Sequence, residues 1–422
     1  MSQRVAVTGL GVMSPGAIGE KSFWSLLSDG RSATRRITFF DPSPFRSQVA
    51  AEIDFDPAAH GFTPREIRRM DRVAQLCVVA AREAVASSGV DFAAVDPHRV
   101  AVVIGSAVGA TMSLDSEYRI VSDEGRTWLV DHEYASPRLY EQFVPSSIAA
   151  EVAWLMDAQG PVTVVSTGCT SGLDAVGYGA ELIREGTADL VIAGASDAPI
   201  SPITMACFDA IKATTPRNDA PEAASRPFDR TRNGFVLGEG AAVFVLENMH
   251  RARSRDAPLR GEVAGFASTA NAHHMTGLRK DGREMAHAIT TALAEARIAP
   301  ASVDYVNAHG SGTKQNDRHE TAAFKKSLGP AAYEVPVSSI KSMIGHSLGA
   351  IGSLEIAASL LALEHDVVPP TANLFHADPE CDLDYVPRTA RDHKTDVVLT
   401  VGSGFGGFQS AMVLTTGRGD DR

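Results

Sequence analysis

A cysteine, two histidines and a lysine each stand where an apolar stretch gives way to a glycine- or serine-rich turn. Cys169 lies in PVTVVSTGCTSGLDA (161–175), where the β-branched run Val162, Val164, Val165 stops at Ser166-Thr167-Gly168. Directly after it, Leu173, Val176, Ala180 and Ile183 recur at helical spacing and mark one buried face. The thiol therefore sits on a sharp strand-to-helix turn, near the positive end of a helix that lowers the cost of a thiolate. Gly168 admits an unusual backbone angle or the close approach of a substrate. A cysteine taken alone is more often a small buried hydrophobe. The nucleophile reading needs partners elsewhere in the chain.

Three strand-end loops in the second half supply candidates. NAHGSGT (307–313) places His309 among glycines and hydroxyls, a composition that exposes backbone to a ligand. SSIKSMIGHS (338–347) puts Lys341 and His346 just before a long Ala/Leu helix, where polar side chains cost stability unless paired. GSGFGGF (402–408) leaves backbone N–H groups open for an oxyanion. A thiolate accepts an acyl group as a thioester. Two imidazoles donating Nε2–H then hold the carbonyl oxygen of a second substrate while charge builds on it, which suits decarboxylation to an enolate. Buried Lys341 requires a partner, and Glu320, on the helix after the His309 loop, is a candidate.

Other motifs compete. GLGVMSPG (9–16) fails the dinucleotide fingerprint, because Ser14 stands where a glycine is needed. His319-Glu320 starts HExxH, but Ala323 occupies the second histidine position. Neighbouring His273-His274 cannot both face one metal in regular structure. Gly345-His346-Ser347-Leu348-Gly349 matches GxSxG in full and would make Ser347 the nucleophile of a hydrolase or acyltransferase, although four residues separate it from the preceding strand.

These side chains need a scaffold. At 422 residues the chain can bury a large core. A hydrophobic fraction of 44% and a charged fraction of 21% are ordinary for a globular protein, and a net charge of −12 argues against nucleic acid. Four scattered cysteines, with no zinc spacing, fit a reducing, cytoplasmic setting. The apolar run before Thr8 is too short for a signal peptide, and no stretch is read as long enough for a membrane helix. Strands are expected at 5–8, 100–104, 162–165, 190–193 and 242–246, then again at 262–266, 303–307, 335–339, 397–401 and 411–414. One helix is expected over 64–88, with Arg65, Arg68, Arg69 and Arg72 on a shared basic face. Others are expected at 283–297, 316–328 and 347–363. Residues 113–145 read as an irregular excursion, 214–234 as a long ordered loop and 248–260 as a connector. Alternation in each half suggests an internal duplication, divided as 1–252 and 253–422.

Cys169 in TGCTSGLDAVG, His309 in NAHGSGT with NDRHE after it, Lys341 in SSIKSMIGHSLGA, and GSGFGGFQSA together resemble the β-ketoacyl synthases of the thiolase superfamily. The resemblance runs over essentially the whole chain. Within that family, FFDPSPFRSQVAAEIDFDP, ACFDAIKATTPRND, NAHHMTGLRKDGREMA and AHGSGTKQNDRHETAA resemble the ketosynthase α subunit of type II aromatic polyketide synthases. It implies an α/β, thiolase-like duplicated five-layered fold, a dimer, and decarboxylative condensation with no metal or organic cofactor. It further implies that Cys169 takes the acyl chain from acyl carrier protein, while His309 and His346 assist decarboxylation. Lys341 would orient the site with Glu320 as its ion-pair partner. The N–H groups of Cys169 and Phe405 would form the oxyanion hole, Phe405 also acting as a gate. Arg65, Arg68, Arg69 and Lys212 would dock the acidic carrier. The implied partner is a chain-length factor lacking the cysteine, and the alternative is a fatty-acid elongating synthase.

Overall fold

The computed structural model describes residues 3–127 and 132–418. Ten strands carry the architecture: β1 (Val5–Ser14), β2 (Val100–Gly105), β3 (Val162–Val165), β4 (Leu190–Asp197), β5 (Gly240–Asn248), β6 (Gly261–Ala270), β7 (Tyr305–Asn307), β8 (Val337–Ser338), β9 (Val397–Gly404) and β10 (Phe408–Thr415). The spatial order is β3-β2-β4-β5-β1 in the first half and β8-β7-β9-β10-β6 in the second. β3, β2 and β4 run parallel, and β5 is antiparallel to both of its neighbours. The second half repeats that pattern, with β8, β7 and β9 parallel and β10 antiparallel to β9 and β6. The two blocks join edge to edge where β1 pairs with β6, Val5 opposite Val263.

Nine helices position the loops: α1 (Pro64–Arg69), α2 (Arg72–Ser88), α3 (Thr111–Val121), α4 (Ser147–Met156), α5 (Ser171–Arg184), α6 (Pro202–Ala210), α7 (Arg283–Ala296), α8 (Lys314–Leu328) and α9 (Ile351–His365). One core packs α2 and α4 against the outer face of the first block. A second core packs α7 and α8 against the outer face of the other block. The largest lies between the blocks, around α5 and α9. The result is the expected five-layered duplicated α/β arrangement. Strands buried on both faces read as continuous Val/Ile/Ala runs, and those runs, ending in glycine- or serine-rich turns, are what located them.

Four expectations change. The helix read over 64–88 is two helices, because Met70 is extended (φ −99°, ψ 135°) and Asp71 starts a new one, accepting the Val73 N–H. α1 has its own capping box between Thr63 and Glu66. The break turns Arg72 inward onto Glu239, so it leaves the basic face. Residues 113–145 are not irregular throughout: α3 and a short helix, Leu139–Phe143, occupy part of them. Among the described residues of this stretch Tyr118, Tyr134, Tyr140 and Phe143 are exposed, as an excursion expects, and 128–131 lie outside the described residues. The connector at 248–260 holds a short helix, Met249–Ser254, capped by Asn248. Finally, Leu348–His365 does reach 18 residues with a mean hydropathy of 1.3, but 89% of it is buried in the centre of the fold.

Candidate active site

The turn after β3 is built by glycine and hydroxyls. Gly168 takes a left-handed φ of 62°, which lets the chain reverse into Gly168–Thr170 before α5. Leu173, Val176, Ala180 and Ile183 are fully buried, as the spacing predicts. Ser171 Oγ accepts the Thr167 N–H at 3.0 Å and donates to the Gly168 carbonyl at 2.6 Å. Asp174, buried in α5, accepts the Thr167 and Thr170 hydroxyls and that of Ser410 on β10. Cys169 is thus held half-buried at the N-terminal end of α5. The loop between β9 and β10 comes within backbone contact of it. A Cβ on Gly404 would lie 2.8 Å from the Thr167 carbonyl and 3.2 Å from the Cys169 nitrogen.

His309 and His346 meet from separate loops, their ring centroids 5.3 Å apart and near-perpendicular at 81°. His309 follows β7, and His346 follows the helical turn Lys341–Ile344 after β8. His346 is braced edge-on by Phe235, 5.2 Å between centroids. Lys341 lies behind them at 1% exposure. Its Nζ bonds the His309 carbonyl and the Glu355 carboxylate and stands 3.4 Å from His309 Nδ1. An ammonium only donates, so Nδ1 accepts and the His309 proton resides on Nε2.

The ion-pair partner of Lys341 is Glu355 on α9, not Glu320. Glu320 has another task. Its carboxyl accepts the His309 N–H at 2.5 Å and the Gly310 N–H at 2.8 Å, and so shapes the histidine loop. Both acids face the same buried cluster, and Glu320 is the one that follows the His309 loop in the chain. The sequence signal for Glu355 is its place as the lone acid in the apolar run from Ile351 to Leu363. A charge there needs a cation.

Cys169, His309, His346 and Phe405 line one cavity of 240 Å³, with Phe208, Phe235 and Leu348 forming apolar wall and Thr313 and Asn316 polar wall. Burial pushes the Cys169 thiol up to about 12, while Lys341 and the Phe405 backbone N–H pull the other way. Burial and the neighbouring Lys341 hold both imidazoles well below their usual range, so both are neutral at pH 7. A neutral imidazole can take the thiol proton or donate Nε2–H to a carbonyl oxygen. Burial also pushes Glu320 up to about 8. No group of three or more ligating side chains suits a metal ion among the described residues.

The basic candidates separate. Arg65 and Arg68 are exposed on α1, and Lys212 is exposed at the cavity mouth. Arg69 is engaged elsewhere, bonded to Glu151 and lying 5.3 Å over the Trp154 ring. Ser347 is buried and does not line the cavity. Its hydroxyl is not presented to a substrate, which removes the GxSxG nucleophile.

Residues 2–252 match the beta-ketoacyl synthase N-terminal domain family and residues 260–375 the C-terminal domain family. The ketoacyl synthase alpha subunit of the tetracenomycin polyketide synthase of Streptomyces glaucescens is 65% identical over 412 residues, 98% of this chain and 97% of that one. One similar solved structure is a type II polyketide synthase acyl-carrier protein in complex with its ketosynthase bound to the hexaketide. It has a TM-score of 0.92 at 35% identity and covers 98% of this chain and 99% of that one. Another, the ishigamide ketosynthase/chain length factor, has a TM-score of 0.90 at 32% identity over the same shares. Similarity that spans both halves, on a scaffold whose loops bring cysteine and histidines to one cavity, makes this chain a member of the β-ketoacyl synthase family, with its thiolase-like fold.

Proposed function

We infer that the chain is the catalytic ketosynthase α subunit of a type II polyketide synthase, joining malonyl-derived units to a cysteine-bound chain on acyl carrier protein. The observation that carries this reading is the convergence of Cys169, His309 and His346 on one cavity. The 1–252 half contributes the nucleophile and the 253–422 half the histidines.

The shared cavity supports the following sequence of steps. The Cys169 sulfur attacks the carrier thioester, a neutral imidazole takes its proton, and the carrier thiol leaves with a proton. The N–H groups of Cys169 and Phe405 stabilise the oxyanion of that step. Malonyl-loaded carrier then binds with its thioester carbonyl oxygen toward the Nε2–H groups of His309 and His346. Loss of carbon dioxide leaves the electron pair as an enolate held by those donors. The enolate carbon attacks the Cys169 thioester, a carbon–carbon bond forms, and the cysteine leaves as thiolate to regain a proton. Lys341 fixes the His309 tautomer, and Glu355 neutralises Lys341.

Carrier docking falls to Arg65, Arg68 and Lys212, exposed cations on a chain of net charge −12. Arg69 belongs to the same surface but is tied to Glu151. A chain-length factor without the cysteine is the partner, and the similarity to the ishigamide ketosynthase/chain length factor supports that choice. The surface suited to it runs from edge strand β3, where Val162 is 41% exposed, to the exposed Trp154 and Leu155 of α4.

Reconstitution with malonyl-loaded carrier and the partner tests the assignment, with carrier-bound products read by mass. Several unreduced two-carbon extensions on one carrier are expected. A single extension that stops until a reductase is added would instead identify a fatty-acid elongating synthase.

A further inference from the structure

Asp197 ends β4 fully buried, and its partners are four hydrogen-bond donors in place of a cation. Its carboxylate accepts the Ser106 hydroxyl at 2.7 Å and the N–H groups of Ala107, Val108 and Gly349 at 2.8, 3.2 and 2.7 Å. Three separate segments are therefore tied at one point. Ser106 and Ala107 follow β2, and the Ser106 N–H also bonds the Val165 carbonyl at 3.0 Å, at the end of the strand that leads into Cys169. Gly349 comes from the other half of the molecule, just after His346.

The turn between His346 and Gly349 bears the mark of that tie. Leu348, whose side chain lines the cavity, adopts a left-handed φ of 48°. That conformation is costly for a residue with a Cβ and persists only where the surroundings impose it. The captured Gly349 N–H is such an imposition. Gly349 has no room for a side chain, because a Cβ would lie 2.5 Å from Asp197 Oδ2 and 2.5 Å from the Ala107 nitrogen. The GHSLG run thus has a reading other than a nucleophile motif: its last glycine seats the carboxylate.

We propose that Asp197 is a positioning residue which, through Ser106 and Gly349, sets the spacing between Cys169 of one half and His346 of the other. This rests on the condensing-enzyme reading of those two residues. The carboxylate also acts on the thiol at a distance. The charged groups facing Cys169 are Lys341, which favours the thiolate, and Asp197 and Glu355, which oppose it. The nearby imidazoles of His309 and His346 are neutral.

The test compares wild type with Asp197→Asn in the full chain, purified with its partner subunit. The variant keeps the side-chain shape, removes the charge and turns an amide against N–H donors. Two quantities are read: the pH midpoint of Cys169 alkylation by iodoacetamide, and the split of condensation kinetics into kcat and KM for malonyl-loaded carrier. A lower alkylation midpoint is expected, with kcat down at least about ten-fold and KM within about two-fold. An unchanged midpoint with kcat at the wild-type level overturns the proposal, as does an unchanged midpoint with kcat and thermal stability falling together. If Asp197→Asn does not fold, Ser106→Ala decides, by a kcat loss of about three-fold or more at constant KM. A wild-type kcat in Ser106→Ala overturns the proposal. The alkylation needs no acyl substrate. A wild type that alkylates at Cys169 but never takes an acyl chain contradicts the condensing reading, and the midpoint comparison then judges Asp197 by itself.

Discussion

The two halves share a strand order and differ in what hangs from matching strand ends. β3 in the first half leads to Cys169, and its counterpart β8 leads to Lys341 and His346. β2 ends in Ser106, whereas β7 ends in the His309 loop. β4 ends in the carboxylate of Asp197, whereas β9 ends in the glycine loop that carries Phe405. The helices that follow β3 and β8, α5 and α9, are buried together in the middle layer, so these loops face one another. One scaffold used twice presents a cysteine on one side and two histidines on the other, which the proposed function reads as nucleophile and proton handling. Chemistry here is a property of loops, and the duplication supplies the meeting place.

The sharpest way to break this division is to damage one side and read the other. His309→Asn and His346→Asn are each expected to lower condensation about 100- to 1000-fold, through loss of a donor to the developing oxyanion. Acyl loading of Cys169, followed by mass, is expected to persist in His309→Asn, which leaves His346, whose tautomer Lys341 does not fix, to take the thiol proton. If both variants load normally and condense normally, the second half has no proton-handling role.

The two acids of the second half give the next contrast. Glu355→Gln leaves the Lys341 ammonium buried beside a neutral group, expected to cost about 3–5 kcal/mol on chemical denaturation. Glu320→Gln is expected to cost about 1–2 kcal/mol, since the amide oxygen still accepts one of the two backbone N–H groups and only the other loses its partner. Equal losses would remove the distinction drawn between an ion pair and a loop brace.

The pH profile separates the halves as well. Both histidines are depressed, so they stay neutral on acidification until the pH falls well below the ordinary imidazole value of about 6.5. The acid limb of condensation is therefore expected below pH 6.5. A limb centred at or above that value would contradict neutral, buried imidazoles. Smaller effects belong to the surface and to Ser347. Charge reversal at Arg65 and Arg68 is expected to raise KM for the carrier several-fold at low salt, less at high salt, with kcat nearly constant. Ser347→Ala is expected to leave rates within about two-fold, its hydroxyl being buried with no hydrogen-bond partner among the described residues.

Most of the scaffold was legible because its strands are buried on both faces and its helices carry regular apolar spacing. Cys169, His309 and His346 were legible because glycine and serine cluster where strands end. The partner of Lys341 was not, since Glu320 and Glu355 both approach it and only packing of α9 against the β8 loop selects one. The break at Met70 escaped because an unbroken run of helix-compatible residues hides a new cap at Asp71, whose second oxygen is committed to the Ser113 N–H from α3. Arg69 and Arg72 look alike in sequence and part ways for the same reason. Asp197 gave no sequence signal beyond an acid at the end of an apolar strand, because its partners are backbone groups brought together by the fold.

The central claim is that Cys169 carries the acyl chain. Intact-mass analysis after incubation with acyl-loaded carrier protein, on wild type, Cys169→Ala and Ser347→Ala, tests it most directly. The account predicts an acyl adduct on wild type and Ser347→Ala and none on Cys169→Ala. An adduct that survives in Cys169→Ala and disappears in Ser347→Ala would contradict it and return the GHSLG turn to the role of nucleophile.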